Sequence, residues 1–275
     1  MMTSQERGSH TGAITDLTGR TALVTGAGRG IGRAIACALA EAGAAVVLTS
    51  RTDTELAETA DLVRASGGLA ATVPADITDR GQVGDLLSAA LELTGQVDII
   101  VNNAGNLICK PFVELPAEGR PKSVPPTMTD EDWQGTLDVH LDGAFHVLRA
   151  FAPQMLARRH GRVINIVSTA LGRTVPFTSA YDTAKAALAQ LTRSLAFEWA
   201  PYGVTVNAIA AGQFPTRLSA PLHETEWGRA WLHKRIPMRR PGDLAEIGRL
   251  AVMLADDHMA FLTGQIIALD GGETL

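Results

Sequence analysis

Residues 21–34 read TALVTGAGRGIGRA. The apolar run Thr21–Thr25 has the composition of a short strand buried on both faces, and Ile31, Ile35 and Leu39 then recur at helical spacing until Gly43 supplies a stop. Glycines 26, 28, 30 and 32 fall between the two. Glycine lets a turn take positive φ and lets backbone approach a ligand, while the free N–H groups and dipole of the following helix favour an anion. A strand, a glycine-rich turn and a helix in that order therefore point to the pyrophosphate of a dinucleotide.

The same rhythm continues outward from this unit. Ala44–Ser50 (AAVVLTS), a helical stretch over 52–68, a strand ending near Asp76, a helix from Arg80 to Leu93 and the run VDIIVNNAG from Val97 predict two further βα units. A helix starts near Thr129, where Thr129 and Asp132 have capping-box spacing, and runs through Trp133, Leu137 and Phe145 toward Arg158 and Arg159. RVINIVS, the helical 181–200, VTVNAIA, a helix over 243–256 and QIIALDGG complete the series. Strands alternating with crossover helices make an α/β fold with a doubly wound parallel sheet. No linker or charge shift divides the chain, so residues 17–275 are expected to form one domain behind a polar tail, 1–16. Two stretches break the rhythm: 106–128, with five prolines, is expected to be an inserted loop, and 213–240, rich in Trp, His, Pro and Arg, an irregular lid.

Composition excludes several function classes. With 46% hydrophobic and 19% charged residues among 275 the chain has ample material for a core, and its 27 glycines belong to turns because they follow no collagen period. A net charge of −5 provides no basic field for nucleic acid. The longest charge-free run, 199–216, contains Pro201, Pro215 and Asn207 and is no membrane span. The N-terminus has no apolar signal stretch, and Cys37 and Cys109 build neither a disulfide framework nor a metal spacing. A cytoplasmic location is the simplest expectation.

Two corners of the sequence carry chemistry. After the second strand the chain reads Thr49-Ser50-Arg51, with no acid to receive a free ribose 2′-hydroxyl. Arg51, with Arg29 as a second cation, suits a 2′-phosphate, so NADP(H) is favoured over NAD(H). Tyr181 and Lys185 are four apart at the start of a helix and project from one face. An ammonium near a phenol lowers its pKa toward neutrality and suits it to exchange protons with an alcohol or carbonyl oxygen. Ser168 ends the fifth strand, where open α/β sheets place ligands.

The turn TGAGRGIG, the NNAG at 102–105, Ser168 and YDTAK at 181–185 together resemble the short-chain dehydrogenase/reductase family, from about Leu17 to Gly272. The resemblance implies a single Rossmann-type domain with seven parallel strands, a homotetramer or homodimer, and hydride transfer with a nicotinamide cofactor. It implies Tyr181 as general acid/base, Ser168 as holder of the carbonyl oxygen, and Lys185 as tuner of Tyr181 and ligand of the nicotinamide ribose. It also implies cofactor contacts from Gly26, Arg29, Gly30, Ile31, Gly32, Ser50, Arg51, Asp76, Ile77, Asn103, Ala104, Gly105, Gly212 and Thr216.

The chain departs from the family in three places. His140 stands where the family has an asparagine that helps hold a water in a proton relay; an imidazole titrating near neutral pH passes protons itself, whereas the plainer reading is a packed helix histidine. His140 and His146 lie on different helix faces, so no metal is expected. The 106–128 loop is longer than usual and either covers the pocket, joins a subunit contact or is a neutral insertion. Ala211-Gly212 replaces Pro-Gly. Phe214, Leu218, Leu222, Trp227, Trp231 and Leu232 then predict an amphipathic lid with His223, His233, Lys234 and Arg235 as polar tips. Three functions follow: a ketoreductase for a hydrophobic or acyl-linked small molecule, a dehydrogenase of a sugar, cyclitol or other polyol, and a non-catalytic dinucleotide-binding protein.

Overall fold

A computed structural model describes residues 15–116 and 125–275. Seven strands form one sheet, β1 (Thr21–Thr25), β2 (Ala45–Thr49), β3 (Leu69–Thr72), β4 (Ile99–Asn102), β5 (Gly161–Ser168), β6 (Val204–Ala211) and β7 (Ile266–Leu269). They lie in the order β3-β2-β1-β4-β5-β6-β7 and every pairing is parallel. The strand order reverses between β1 and β4, which opens a crevice at the carboxyl ends of those strands. β1, β4, β5 and β6 are buried along their whole length, as crossover helices on both faces require.

Helices α1 (Gly30–Glu41), α2 (Asp53–Ala65) and α9 (Leu244–Ala255) cover one face. Ile35, Leu39, Leu56, Val63, Ile247 and Ala251 pack there against Val24, Val46 and Ile164. Gly248 admits α1, because a Cβ there would meet that of Ala38 at 2.8 Å. On the opposite face α3 (Arg80–Thr94), α5 (Gly143–Arg158) and α6 (Ser179–Trp199) bring Leu86, Phe151 and Met155 against Leu23, Val47 and Val163.

Four expectations need adjustment. β3 ends at Thr72 rather than near Asp76, although the chain goes on beside β2 with Val73 N bonded to Leu48 O and Ala75 N to Ser50 O; Pro74 between them faces the open edge of the sheet, where a missing N–H costs no bond. The helix from Thr129 has its capping box, but α4 (Asp130–Leu137) and α5 are joined by a π-turn over Asp138–Asp142. Residues 213–240 are not wholly irregular, since α7 (Ala220–Glu224) and α8 (Glu226–Arg235) form within them. The expected tail mostly lies outside the described residues; Thr15 Oγ1 donates to Asp256 at 2.7 Å, Leu17 is buried, and so the chain is already anchored before residue 17. The middle of the inserted loop, 117–124, also lies outside them.

A charged network closes the sheet at the end away from the crevice. Asp98, 1% exposed, accepts from Thr21 N at 3.0 Å and from Arg158 Nη1 at 3.2 Å. His160 Nε2 lies 2.8 Å from Asp257, which also pairs with Arg20 and Arg162. The Asp98 carboxylate 3.7 Å from Nδ1, opposed by burial and aided by Asp257, raises the His160 pKa above its ordinary value. The stabilisation from its charge is therefore fully present below the unfolded histidine pKa and is lost as pH rises through the higher folded value. His160→Gln is expected to lower Tm by roughly 2–4 °C at pH 5.5, about 1 kcal/mol for a domain this size, and by less at pH 8.5, as scanning calorimetry would read.

Candidate active site

The glycine turn is set by contact with the end of β4. Gly26 and Gly30 have φ of +62° and +55°, and a Cβ on Gly26 would lie 2.8 Å from Ala104 Cα, while one on Gly32 would strike the Gly26 carbonyl. Thr25 Oγ1 accepts from Asn103 N at 3.0 Å and Ala104 N at 3.1 Å. Asn103 Nδ2 returns to Thr25 O at 2.9 Å and Gly26 O at 3.2 Å. Helix α1 has Arg29 at its N-cap, with no side-chain cap and no acid in its first turn. Its leading N–H groups are therefore free to receive an anion, and the turn fits a pyrophosphate.

The cations expected at the ribose behave differently from one another. Arg51 is exposed, with Nη1 3.9 Å from Asp76 Oδ2. Arg29 is instead held by Glu55 at 2.6 Å, so it is not a free second cation in this state. Ser50 Oγ accepts from Thr52 N at 3.3 Å. Asp76 Oδ1 accepts from Thr78 N and Oγ1 at 3.0 and 2.8 Å, and buried Ile77 packs beneath Gly143. Ile31 lies partly buried over the core at the start of α1. Thr216 faces Gly30 across the crevice, with a Gly30 Cβ reaching its methyl at 3.3 Å. Gly212 is required by β7, because its Cβ would lie 2.7 Å from Asp270 Cα.

Ser168, Tyr181, Lys185 and His140 converge at the carboxyl ends of β4 and β5. Ser168 ends β5 and caps the turn Thr169–Leu171, its Oγ accepting from Ala170 N at 3.1 Å. Lys185, 4% exposed, donates to Ile166 O at 2.6 Å, and its Nζ lies 5.7 Å from the centre of the Tyr181 ring. Burial lowers the Lys185 pKa to about 7. Burial also raises the Tyr181 phenol above its ordinary value, against the lowering effect of the Ser168 hydroxyl. The expected shift toward neutrality is thus absent here: desolvation, with Asp182 nearby, holds the phenol in its protonated form.

His140 sits in the π-turn, 2% exposed, with its ring edge-on to Tyr181 at 5.2 Å. Its Nε2 lies 2.8 Å from Asn106 O and 3.2 Å from Asn106 N, and its Nδ1 is buried without a partner. Burial, with Lys185 nearby, pushes its pKa down to about 3 despite the Asn106 bond. The ring is therefore neutral at physiological pH, which agrees with the packed helix histidine of the two readings. Gly105 makes room for it, since a Cβ would strike His140 Cε1.

The described parts of the inserted loop pack beside this site. Lys110 N bonds to Phe177 O at 2.8 Å, Met128 N to Pro111 O at 2.9 Å, and Lys110 Nζ pairs with Asp132. In the lid, Phe214 and Leu232 are buried in packing, whereas Leu218 and Trp227 stay exposed. Thr25 and Asn106 escaped the sequence reading. Thr25 had a usable signal, a hydroxyl on the last strand residue before the glycines; the role of Asn106 depends on the fold bringing it to residue 140.

An enoyl-(acyl carrier protein) reductase family model matches residues 26–274. The chain is 38% identical to 2-dehydro-3-deoxy-D-gluconate 5-dehydrogenase of Bacillus subtilis, over 93% of this chain and 95% of that one. It is 35% identical to a 3-oxoacyl-[acyl-carrier-protein] reductase of Synechocystis, over 94% and 98%. Its fold matches a gluconate 5-dehydrogenase of Burkholderia cenocepacia, solved with NADP and tartrate, with a TM-score of 0.85, 36% identity and coverage of 94% and 96%. With this family match across nearly the whole chain, and with the seven-stranded sheet and glycine turn just described, the protein belongs to the short-chain dehydrogenase/reductase family and is an oxidoreductase acting on CH–OH and C=O groups with NAD(P).

Proposed function

We propose that the protein is an NADP(H)-dependent oxidoreductase that interconverts a ketone and a secondary alcohol on a small polyhydroxylated acid. The observation that carries the reaction is the convergence of Ser168, Tyr181 and buried Lys185 at the ends of adjacent elements. The sugar-acid class gains support from relatives named for gluconate and 2-dehydro-3-deoxy-gluconate. Burial of Phe214 and Leu232 removes part of the apolar lid surface that favoured a hydrophobic substrate. An acyl-linked ketone is the second reading, favoured by exposed Leu218 and Trp227 and by the 3-oxoacyl-[acyl-carrier-protein] reductase relative.

In this reading the open N–H groups after Arg29, with Gly26, Gly30, Ile31 and Gly32, hold the pyrophosphate. Ser50, Arg51, Asp76 and Ile77 flank the adenosine, and Asn103, Ala104, Gly105, Lys185, Gly212 and Thr216 border the nicotinamide riboside. The bound cofactor supplies or accepts the hydride. As negative charge grows on the substrate oxygen, Ser168 Oγ and Tyr181 Oη donate hydrogen bonds to it and Tyr181 delivers its proton. A phenol held neutral by burial is suited to that donation. Lys185, protonated below about pH 7, offsets the phenolate left behind. His140 acts as a neutral positioning residue that props Tyr181 and fixes Asn106. A homotetramer or homodimer fits the exposed Phe197, Phe261 and Leu275, and a cytoplasmic setting fits the two free thiols.

Tyr181→Phe is expected to retain NADPH binding by fluorescence titration while losing turnover by about 10³-fold; near-normal rates would reject the assignment. NADPH is expected to exceed NADH in kcat/KM, with Arg51→Ala eroding only the NADPH value; a clear NADH preference in the parent would remove the 2′-phosphate reading. His140→Asn should leave the shape of the pH–rate profile between pH 5.5 and 9 unchanged, because the ring is uncharged throughout that range. His140→Ala, lacking the Asn106 bond, should lower kcat about tenfold. An inflection lost in the asparagine variant would make His140 a titrating group.

A further inference from the structure

Glu273, third from the end of the chain, is 0% exposed. A carboxylate removed from water survives only if it is paired and hydrogen-bonded, and Glu273 draws its partners from three separate segments. Arg235 at the end of α8 forms an ion pair with Oε1. Gln213, just beyond β6, donates from Nε2 to Oε1 at 3.3 Å. Thr169, the residue after Ser168, donates to Oε2 at 3.3 Å. Arg173 closes the ring, giving Nη1 to the Glu273 carbonyl at 3.0 Å and taking Arg235 Nη2 on its own carbonyl at 3.0 Å. The guanidinium of Arg235 also lies over the Trp231 ring, 4.8 Å from its centre.

These segments surround the substrate side of the site: one carries Ser168, one leads to Thr216, and one is the lid helix. We propose that Glu273 is a positioning residue that latches the lid to the Ser168 turn, so that closure of α8 and alignment of the Ser168 hydroxyl are one event. The inference rests on the proposed function for the role of Ser168 and the lid, but the latch itself is a property of the fold. The C-terminal turn is built to hold it, since Gly271 and Gly272 have φ of +63° and +89° and a Cβ on either would press on Ile236 or Pro237 at the end of the lid. Met238 N bonds to Gly271 O at 3.1 Å on the same side. Removing either charge leaves the other buried and unpaired, so the two singles should not add.

Hydrogen–deuterium exchange of the full chain tests the latch with no substrate present. In Glu273→Gln and Arg235→Met, amides of 226–236 and 169–173 should exchange at least about tenfold faster while those of β1, β4 and β5 keep their parent rates, and Arg235→Lys should restore much of the protection. With NADPH and a 5-oxo-hexonate, both variants should raise the KM of the ketone about tenfold while the Kd of NADPH stays within about twofold, and the double variant should be no worse than the worse single. Unchanged exchange, or a rise spread evenly through the sheet, would overturn the latch. A parent enzyme inactive on the ketone would count against the proposed function alone, because the exchange arm needs no turnover.

Discussion

The clasp between Thr25 and Asn103 is the contact on which the site depends. β1 and β4 are neighbours at the point where strand order reverses, and their loops would splay without a bond across the crevice. Thr25 Oγ1 takes both the Asn103 and Ala104 N–H groups, and the Asn103 amide gives its hydrogens to Thr25 and Gly26 carbonyls. Four bonds thus fix the glycine turn to the loop that runs on to Asn106. The turn is so close to β4 that Gly26 has no room for a methyl group. The glycine turn and the loop toward Asn106 are therefore parts of one corner, and Ser168, Tyr181 and Lys185 lie at the same end of the sheet.

Electrostatics at the site follow from burial more than from pairing. Lys185 has a single backbone acceptor and no carboxylate partner among the described residues, so desolvation brings its pKa to about 7. The same desolvation keeps the Tyr181 phenol protonated and His140 neutral. A site arranged in this way stores a proton on Tyr181 and a titratable charge behind it, suited to giving one proton to a carbonyl oxygen. At the other end of the sheet charges are paired instead, with Asp98, Asp257, Arg158, Arg162 and His160 in one network that supports the sheet far from the chemistry.

Periodicity and turn chemistry make most of the fold legible in the amino-acid sequence. The seven strands, the α/β alternation, the Thr129 capping box and the last helix all have local signals: apolar runs, helical spacing, caps and glycines. The π-turn at 138–142 has none, since it arises where α5 packs Gly143 onto Ile77, sixty-six residues away in the chain. Ser168, Tyr181 and Lys185 were readable as a pattern, but not their pKa values, which depend on how much water the finished fold excludes. Lid residues looked uniformly available for substrate; the structure buries Phe214 against Gly242 and turns Leu232 to the buried side of α8. Glu273 was invisible for the same reason, because an acid near the end of a chain reads as solvated until the arginine and threonine that meet it are in place.

The most direct measurement follows the hydrogen itself. The protein would be incubated with NADPH deuterated at nicotinamide C4 and a 5-oxo-hexonate, and the product examined by mass spectrometry and NMR. Deuterium at the new carbinol carbon, absent when Tyr181 is phenylalanine, is the expected result. Tight NADPH binding with no deuterium transferred to that ketone or to an acyl-linked ketone would contradict the assignment of Ser168, Tyr181 and Lys185 to carbonyl reduction.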